Sequence, residues 1–392
     1  MAEAQHPKEP GSSNKMPVKA GRATFRWQPP FTLRLEPRLK EPPRWFPFAV
    51  SIGAIFFALM LGGVVIALAG GNPFASYAHI AQASFGSLGV FSDTIVKATP
   101  LILVGLACSV AFRMRLWNIG AEGQFYLGAF GASAVVLAPF LPEETSPWLF
   151  IPVMMLAGIL AGAIWGFIPG LLKARYNVNE IISTLMMNYI AVQWNNYFIY
   201  AVWSEGGFQM SRMFQRNAWL PRLTDYAAQF PFLSGLTSHL GLLFGVLAAT
   251  LVWFILYRSR WGYEIRLTGD NQRAAQYAGL NISRNTILVM MLSGALAGLA
   301  GMSEITGVVH RLQGAISPGY GFTGIIIAWL AKLNPFSVIL VSVLFGALIL
   351  AGREIQPSGI PKMIQGIILV SLIASDFLMR YRVRVIRPGE ES

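Results

Sequence analysis

Four carboxylates, Glu122, Glu180, Glu304 and Asp376, fall inside or at the ends of long apolar stretches. A charge in that setting is costly unless it is paired or faces water, so each marks a place where something polar must happen. Glu122 sits in a run from Arg113 to Gln124 that also holds Asn118 and Gln124, with Gly120 and Gly123 loosening the backbone around it. An irregular, polar helix start of this kind is tolerated only against protein or a water-lined cavity. Two readings stand for Asn118, Glu122 and Gln124: a gate or substrate path, and a hydrogen-bond network tying one helix to its neighbours. A second constellation is Tyr189, Gln193, Asn196, Tyr200 and Trp203. At 100° per residue these positions share an arc of about 80° on one helix face. Amides bond sugar hydroxyls or base edges, and aromatic rings offer stacking faces, so Tyr189, Gln193, Asn196 and Tyr200 also read as a substrate path. The plainer reading is an interfacial aromatic belt with interhelical hydrogen bonds. Lys97 is expected to snorkel or to pair with Asp93 one turn away. There is one cysteine, Cys108, and four scattered histidines, so no catalytic site, metal site or resident cofactor is expected. No phosphate-loop motif occurs in the chain, so an energy-coupled role needs ATP bound elsewhere.

The elements that carry these residues follow from composition. Of 392 residues 54% are hydrophobic and 12% charged, against roughly 25% charged in soluble domains. Mean hydropathy is +0.53. A surface so poor in charge would aggregate in water, which excludes a soluble enzyme and makes the bilayer the solvent. Apolar runs predict ten membrane helices: 48–69, 92–112, 117–140, 148–172, 179–203, 239–257, 286–309, a short 319–331, 337–352 and 361–379. The first, 22 residues long, gives about 33 Å of helix, enough to span. The eighth is short and punctuated by Gly319, Gly321 and Gly324, as a broken helix would be. The fold class expected is therefore all-α and polytopic.

The net charge of +12 does not point to nucleic acid, because the basic residues flank the apolar runs. With ten alternating spans and the N-terminus inside, 23 of the 30 Lys and Arg fall on the cytoplasmic side. That asymmetry places both termini in the cytoplasm. Residues 1–47, basic and Pro-rich, are expected to be a disordered cytoplasmic tail, and 381–392 a second tail. The membrane body is 48–380, with an external loop at 204–238 and a cytoplasmic loop at 258–285. Gly158, Gly162, Gly166 and Gly170, together with Gly294, Gly298 and Gly301, supply small faces for tight helix packing.

Two stretches are distinctive. Leu116 to Gly128 (LWNIGAEGQFYLG) and Asn179 to Ile190 (NEIISTLMMNYI) resemble the hallmark segments of permease subunits of bacterial ABC importers for nucleosides and simple sugars, a family similar to branched-chain amino acid permeases. They are closer to its nucleoside-type branch. Gly269 to Gly279, followed by Ser293 to Gly301, is a looser match. The resemblance covers roughly residues 48–380. It implies a permease subunit in the bacterial plasma membrane that forms a path for nucleosides or related sugars, and it implies no enzyme activity. Its implied partners are a cytoplasmic ATP-binding cassette ATPase, a second paralogous permease and an extracytoplasmic binding protein or lipoprotein. It also implies an inverted repeat, spans two to five against spans seven to ten. Such permeases dock on their ATPase through a Glu-Ala-Ala-x-x-x-Gly pattern. This chain has Arg273, Ala274, Ala275 and Gly279 there, with Arg in place of Glu. Its alanines are expected to lie in a cleft of the ATPase, with Gly279 ending the helix.

The alternative is a self-sufficient secondary transporter, which would share the broken helices and membrane carboxylates. A membrane enzyme would need catalytic groups clustered at one face, and here the carboxylates are dispersed.

Overall fold

The computed structural model describes residues 32–37, 43, 45–138, 140–352 and 359–386. Two units are distinguished, one formed by Met1–Glu41 with Leu378–Ser392 and the other by Pro42–Phe377.

In the first unit, β1 (Thr32–Pro37) pairs antiparallel with β2 (Tyr381–Ile386), with Thr32 opposite Ile386 and Leu35 opposite Val383. Both segments alternate apolar and polar residues (TLRLEP and YRVRVI), the period of a strand. β1 lies within the segment expected to be a disordered tail, and β2 within the second tail. Most of the remaining tail, residues 1–31, lies outside the described residues.

The second unit is helical. In chain order it contains α1 (Phe46–Leu68), α2 (Pro73–Phe85), α3 (Leu88–Arg113), α4 (Ala121–Leu137), α5 (Pro147–Tyr176) and α6 (Glu180–Tyr197). After the long loop come α7 (Gly241–Arg258), α8 (Arg260–Asp270), α9 (Gln272–Tyr277), α10 (Ile282–Glu304), α11 (Tyr320–Leu330), α12 (Pro335–Ala351) and α13, which starts at Ile360. Single π-turns extend α6 through Val202 and α10 through Val309. Each of the ten expected spans meets one of these helices. Four of them, α3, α5, α7 and α10 with its π-turn, are long and apolar enough to cross a membrane unaided, or five if α1 and α2, bent by 115°, count as one span. The sequence reading missed α2, which starts after the left-handed Gly70 and is capped by Asn72, whose side chain accepts from the Phe74 and Ala75 amides.

The core is a three-helix crossing of α4, α5 and α10. Gly158 and Gly162 of α5 lie against Gly298, and Gly128 of α4 meets Gly298 from another side. A Cβ on Gly162 would collide with the Gly294 carbonyl, and one on Gly301 with the Phe125 carbonyl. Backbones this close are possible only where side chains are absent. α3, buried along nearly its whole length, packs on α10, α11 and α12. The outward faces carry apolar stripes such as Leu156, Leu160 and Ile164 on α5 and Leu243, Leu247 and Leu251 on α7, all exposed. In water such stripes would be a liability; against lipid tails they are the expected surface.

Candidate functional site

The buried polar groups are concentrated where two helices begin inside the bundle. After α3 the chain turns back through Met114–Gly120, with Arg115 in the left-handed region, and α4 starts deep against α10. Asn118, fully buried, donates to the Gln124 side-chain oxygen at 2.9 Å and to Ser293 Oγ at 2.8 Å, and accepts from the Gly120 amide at 3.0 Å. Ser293 Oγ in turn donates to the Ala107 carbonyl of α3 at 2.7 Å. Asn118 and Gln124 therefore knit α3, α4 and α10 together. Asn188 of α6 completes this belt. It accepts from the Gly123 amide at 2.8 Å and donates to the Ile119 carbonyl at 2.9 Å. A buried Asn one residue before the aromatic stripe was its only sequence signal.

Glu122 does something different. Its Oε2 accepts from the Gly321 amide at 2.6 Å, so the carboxylate sits at the N-terminus of the short helix α11. Exposed amides and the helix dipole favour a negative charge there. Ser317 Oγ accepts from the Gly319 and Tyr320 amides at 3.0 and 2.9 Å. The glycines that make the eighth span look broken are explained by close approach. A Cβ on Gly321 would collide with the Glu122 backbone, and Gly319 is left-handed at φ 105°.

Beside this junction lies a polar cavity of about 740 Å³, opening toward the end of the bundle that carries the long loop 203–240. Lys97, Glu304, Tyr320, Gln313, Arg222 and Lys362 are among its walls. Lys97 Nζ and Glu304 Oε1 form a buried ion pair at 3.2 Å, joining α3 to α10. Tyr320 Oη donates to the same carboxylate at 3.4 Å. The expectation that Lys97 snorkels or pairs with Asp93 is thus corrected. Asp93 accepts from Thr237 Oγ1 at 2.6 Å instead, because Lys97 is one turn deeper and faces α10. The pairing of Lys97 with Glu304, 207 residues apart, is invisible to sequence spacing.

The long loop folds back over this end. Phe214 and Leu220 amides donate to the His310 and Thr306 carbonyls at 2.8 and 3.0 Å. Arg222 donates to the Gly307 carbonyl at 2.7 Å and meets His310 Nε2 at 2.8 Å, while Trp219 stacks on the His310 ring at 3.7 Å. Burial and the neighbouring Arg222 guanidinium lower the His310 pKa to about 4, so the ring is neutral at pH 7.

The other candidates lie elsewhere. Tyr189 and Tyr200 are 65% and 52% exposed, Gln193 is exposed and Asn196 half-buried. Asn196 donates to the Gln193 side-chain oxygen at 3.1 Å. The face of α6 that packs inward is Thr184, Asn188, Ala191 and Asn195, so the stripe does not line the polar cavity of its own chain. Small and amide side chains fit the close approach to α4, and the bulky rings are turned outward.

At the opposite end Lys173 and Glu180 pair at 2.9 Å beside a notch of about 200 Å³, whose walls include Gln272. There α8 is held to α10 by Trp261 donating to Asn285 at 3.2 Å and Asn285 donating to Glu264 at 2.8 Å. Asn271 caps α9 through the Ala274 amide at 3.1 Å, and Gly279 is left-handed at φ 75°, as the sequence predicts for a helix stop. The alanines of this segment are divided, with Ala278 exposed. Ala275 is fully buried and Ala274 half-buried within the chain, while Arg273, Gln276 and Tyr277 project, Tyr277 at 94% exposure. A one-turn helix needs an anchor on its own protein, and the small residues provide it. Asp376 carries no described side chain. No group of three metal-ligating side chains occurs among the described residues.

Comparison with known proteins bears on the whole helical unit. Residues 90–373 match the family model described as branched-chain amino acid transport system / permease component. A guanosine ABC transporter permease protein of Bacillus subtilis is 35% identical over 85% of this chain and 94% of its own length. A glucose ABC transporter permease protein of Haloferax volcanii is 33% identical over 90% of this chain and 94% of its own length. A nucleoside ABC transporter permease protein of Lactococcus lactis is 29% identical over 83% and 89%.

Proposed function

We propose, from the fact that the chain belongs to the branched-chain amino acid transport system / permease component family, how its geometry serves an ABC importer permease and what it carries. The role is transport, with no catalytic step in this chain. The substrate is a nucleoside. The similarity to guanosine and nucleoside permeases supports this class, and the glucose permease at 33% identity makes a simple sugar the competing one. The observation that carries the mechanism is the polar cavity, walled by Lys97, Glu304, Gln313 and, at the start of α11, Ser317 and Tyr320. Its volume falls in the range of about 300–1,000 Å³ that small ligands occupy. It forms an outer vestibule, and the belt of Asn118, Gln124, Ser293 and Asn188 closes the way beyond it. Helix starts inside the bundle, with one carboxylate holding two of them, are the parts such a device must shift to open. The meeting of α4 and α11 at their N-terminal ends also suits the inverted repeat.

The charge asymmetry puts both termini and α8–α9 in the cytoplasm, and the long loop outside, in the plasma membrane. The α6 stripe of Tyr189, Gln193, Asn196 and Tyr200 then faces a second, paralogous permease across a shared path, because exposed amides are disfavoured against lipid. An extracytoplasmic binding protein or lipoprotein delivers the substrate. Cells carrying the intact importer are expected to take up labelled guanosine, with unlabelled nucleosides competing and glucose in hundredfold excess not competing. Competition by glucose alone would move the substrate to the sugar class. Within that system, Gln193→Leu together with Asn196→Leu is expected to cut uptake at least tenfold at unchanged membrane abundance. Uptake like wild type would return the stripe to packing.

The ATPase grips α9. Tyr277 is a large, rigid, nearly fully exposed ring on a one-turn helix between fixed ends, the kind of anchor that dominates interfaces. Tyr277→Ala is expected to lower co-purification of the ATPase at least tenfold, consistent with about 2 kcal/mol for a hot-spot residue. Because Ala275 is buried, Ala275→Trp would disturb this chain before it disturbed a partner. Full ATPase recovery with Tyr277→Ala would remove α9 as the docking element.

A further inference from the structure

A second cavity, of about 620 Å³, lies between the starts of α5 and α7 under the long loop, and it shares only Arg222 with the polar cavity described above. Its lining is apolar, with Ile151, Met155, Leu242 and Phe244 inside, and three prolines, Pro147, Pro152 and Pro221, that have no amide to donate. Its rim residues Trp148 and Leu243 are 91% and 50% exposed. They continue into the apolar stripes of α5 and α7, so the cavity adjoins the surface that meets lipid.

Four polar side chains interrupt the lining: Tyr226, Ser238, which is bonded to Ser92, and the two that bear on an occupant, His239 and Arg222. His239 is 4% exposed. Its Nδ1 accepts the Gly241 amide at 3.1 Å, which leaves the ring proton on Nε2, and buried Nε2 has no hydrogen-bond partner among the described residues. An orphaned buried donor is expensive, and water is a poor occupant of an apolar cavity. Arg222 is the second group. Its guanidinium donates to the Gly307 carbonyl and meets His310, which is neutral, and among the described residues no carboxylate pairs with it. Its backbone amide, in contrast, donates to Asp225 Oδ2 at 2.8 Å.

We infer that this cavity holds a membrane glycerophospholipid. An acyl chain fills the apolar interior, an ester carbonyl accepts from His239 Nε2–H, and the phosphate lies toward Arg222. The three features needed from the occupant are an apolar chain, an acceptor oxygen buried beside it and a negative group at its polar end. A membrane phospholipid has all three and reaches the rim from the bilayer.

The test is photo-crosslinking of the intact importer in liposomes containing phosphatidylglycerol with a diazirine on its acyl chain. A parallel set contains the matching diacylglycerol, which lacks the phosphate. Labelling by phosphatidylglycerol is expected to concentrate on peptides covering residues 147–155 and 238–244, at least fivefold above the exposed face of α12. The diacylglycerol is expected to label them several-fold less. Met155→Trp and, as a second filling variant, Leu242→Trp should remove that enrichment while labelling of α12 stays unchanged, which also shows that the variant is folded. His239→Phe should reduce it, and His239→Gln, which keeps a donor, should retain most of it. Labelling spread evenly over the lipid-facing helices, or enrichment unchanged by both filling variants, would overturn the assignment. Equal labelling by the diacylglycerol would overturn the role given to Arg222.

Discussion

Lys97→Met is expected to be the most damaging single change at the polar cavity. It leaves Glu304 inside the bundle without the ammonium that now lies 3.2 Å away. Breaking a buried pair by removing one partner costs about 3–5 kcal/mol, whereas replacing both partners by apolar groups is often close to neutral. The single variant should therefore melt well below wild type in detergent, and the double variant Lys97→Met with Glu304→Met should recover most of the loss. Uptake separates stability from function. If the pair shapes the vestibule, the double variant stays folded yet transports at least tenfold less than wild type. Uptake restored with stability would reduce the pair to a structural tie between α3 and α10. An additive double variant, twice as damaged, would contradict the pairing itself.

Gly298→Val should prevent assembly altogether. Gly298 is shared by two crossings: Gly128 of α4 and Gly158 and Gly162 of α5 all approach its backbone. Side-chain overpacking that neighbours can relieve costs about 1–3 kcal/mol. Here the obstacle met by a side chain at 298 is the α5 main chain at Gly158 and Gly162, with no rotamer to change, so α5 and α10 would have to separate. The expected result is loss of monodisperse protein on size-exclusion chromatography and loss of membrane abundance. Gly53→Ala is the matched control. Nothing lies within 4 Å of its Cβ position in α1, and alanine is favoured over glycine in a helix by about 1 kcal/mol. A well-behaved Gly298→Val protein would show that the α4–α5–α10 crossing is looser than described.

The parts of this architecture that sequence makes legible are those with a local cause. Each of the ten apolar runs meets a helix, of which four, or five with the bent pair, are long and apolar enough to cross a membrane; the glycines spaced by four marked the tight crossing, and Gly279 marked the end of α9. The segment around Glu122 was recognisable as a place where backbone and polar groups had to be satisfied inside a membrane. What it satisfied was not legible, because the partner, the Gly321 amide, is 199 residues away. The same holds for Lys97 with Glu304 and for Ser293 with Asn118. The α6 stripe shows another limit. Periodicity gives the arc shared by Tyr189, Gln193, Asn196 and Tyr200, but not which neighbour that arc faces, and Asn188 on the adjacent arc turned out to be the buried amide. At α9, small residues suggested a surface for a partner, and burial assigned Ala275 to the chain's own packing, leaving Tyr277 to project. The β1–β2 pair joins segments near the two ends of the sequence. Each is short enough to read as tail on its own.

The account rests on a division of labour: this chain forms a path and another chain supplies the energy. The direct measurement is uptake of labelled guanosine into liposomes holding the purified chain with its second permease, substrate delivered by the binding protein. The ATPase and internal ATP are present in one set and absent in the other. The account predicts accumulation above the external concentration only with the ATPase and ATP, and none driven by a proton or sodium gradient. Gradient-driven accumulation in the set lacking the ATPase and ATP would contradict it.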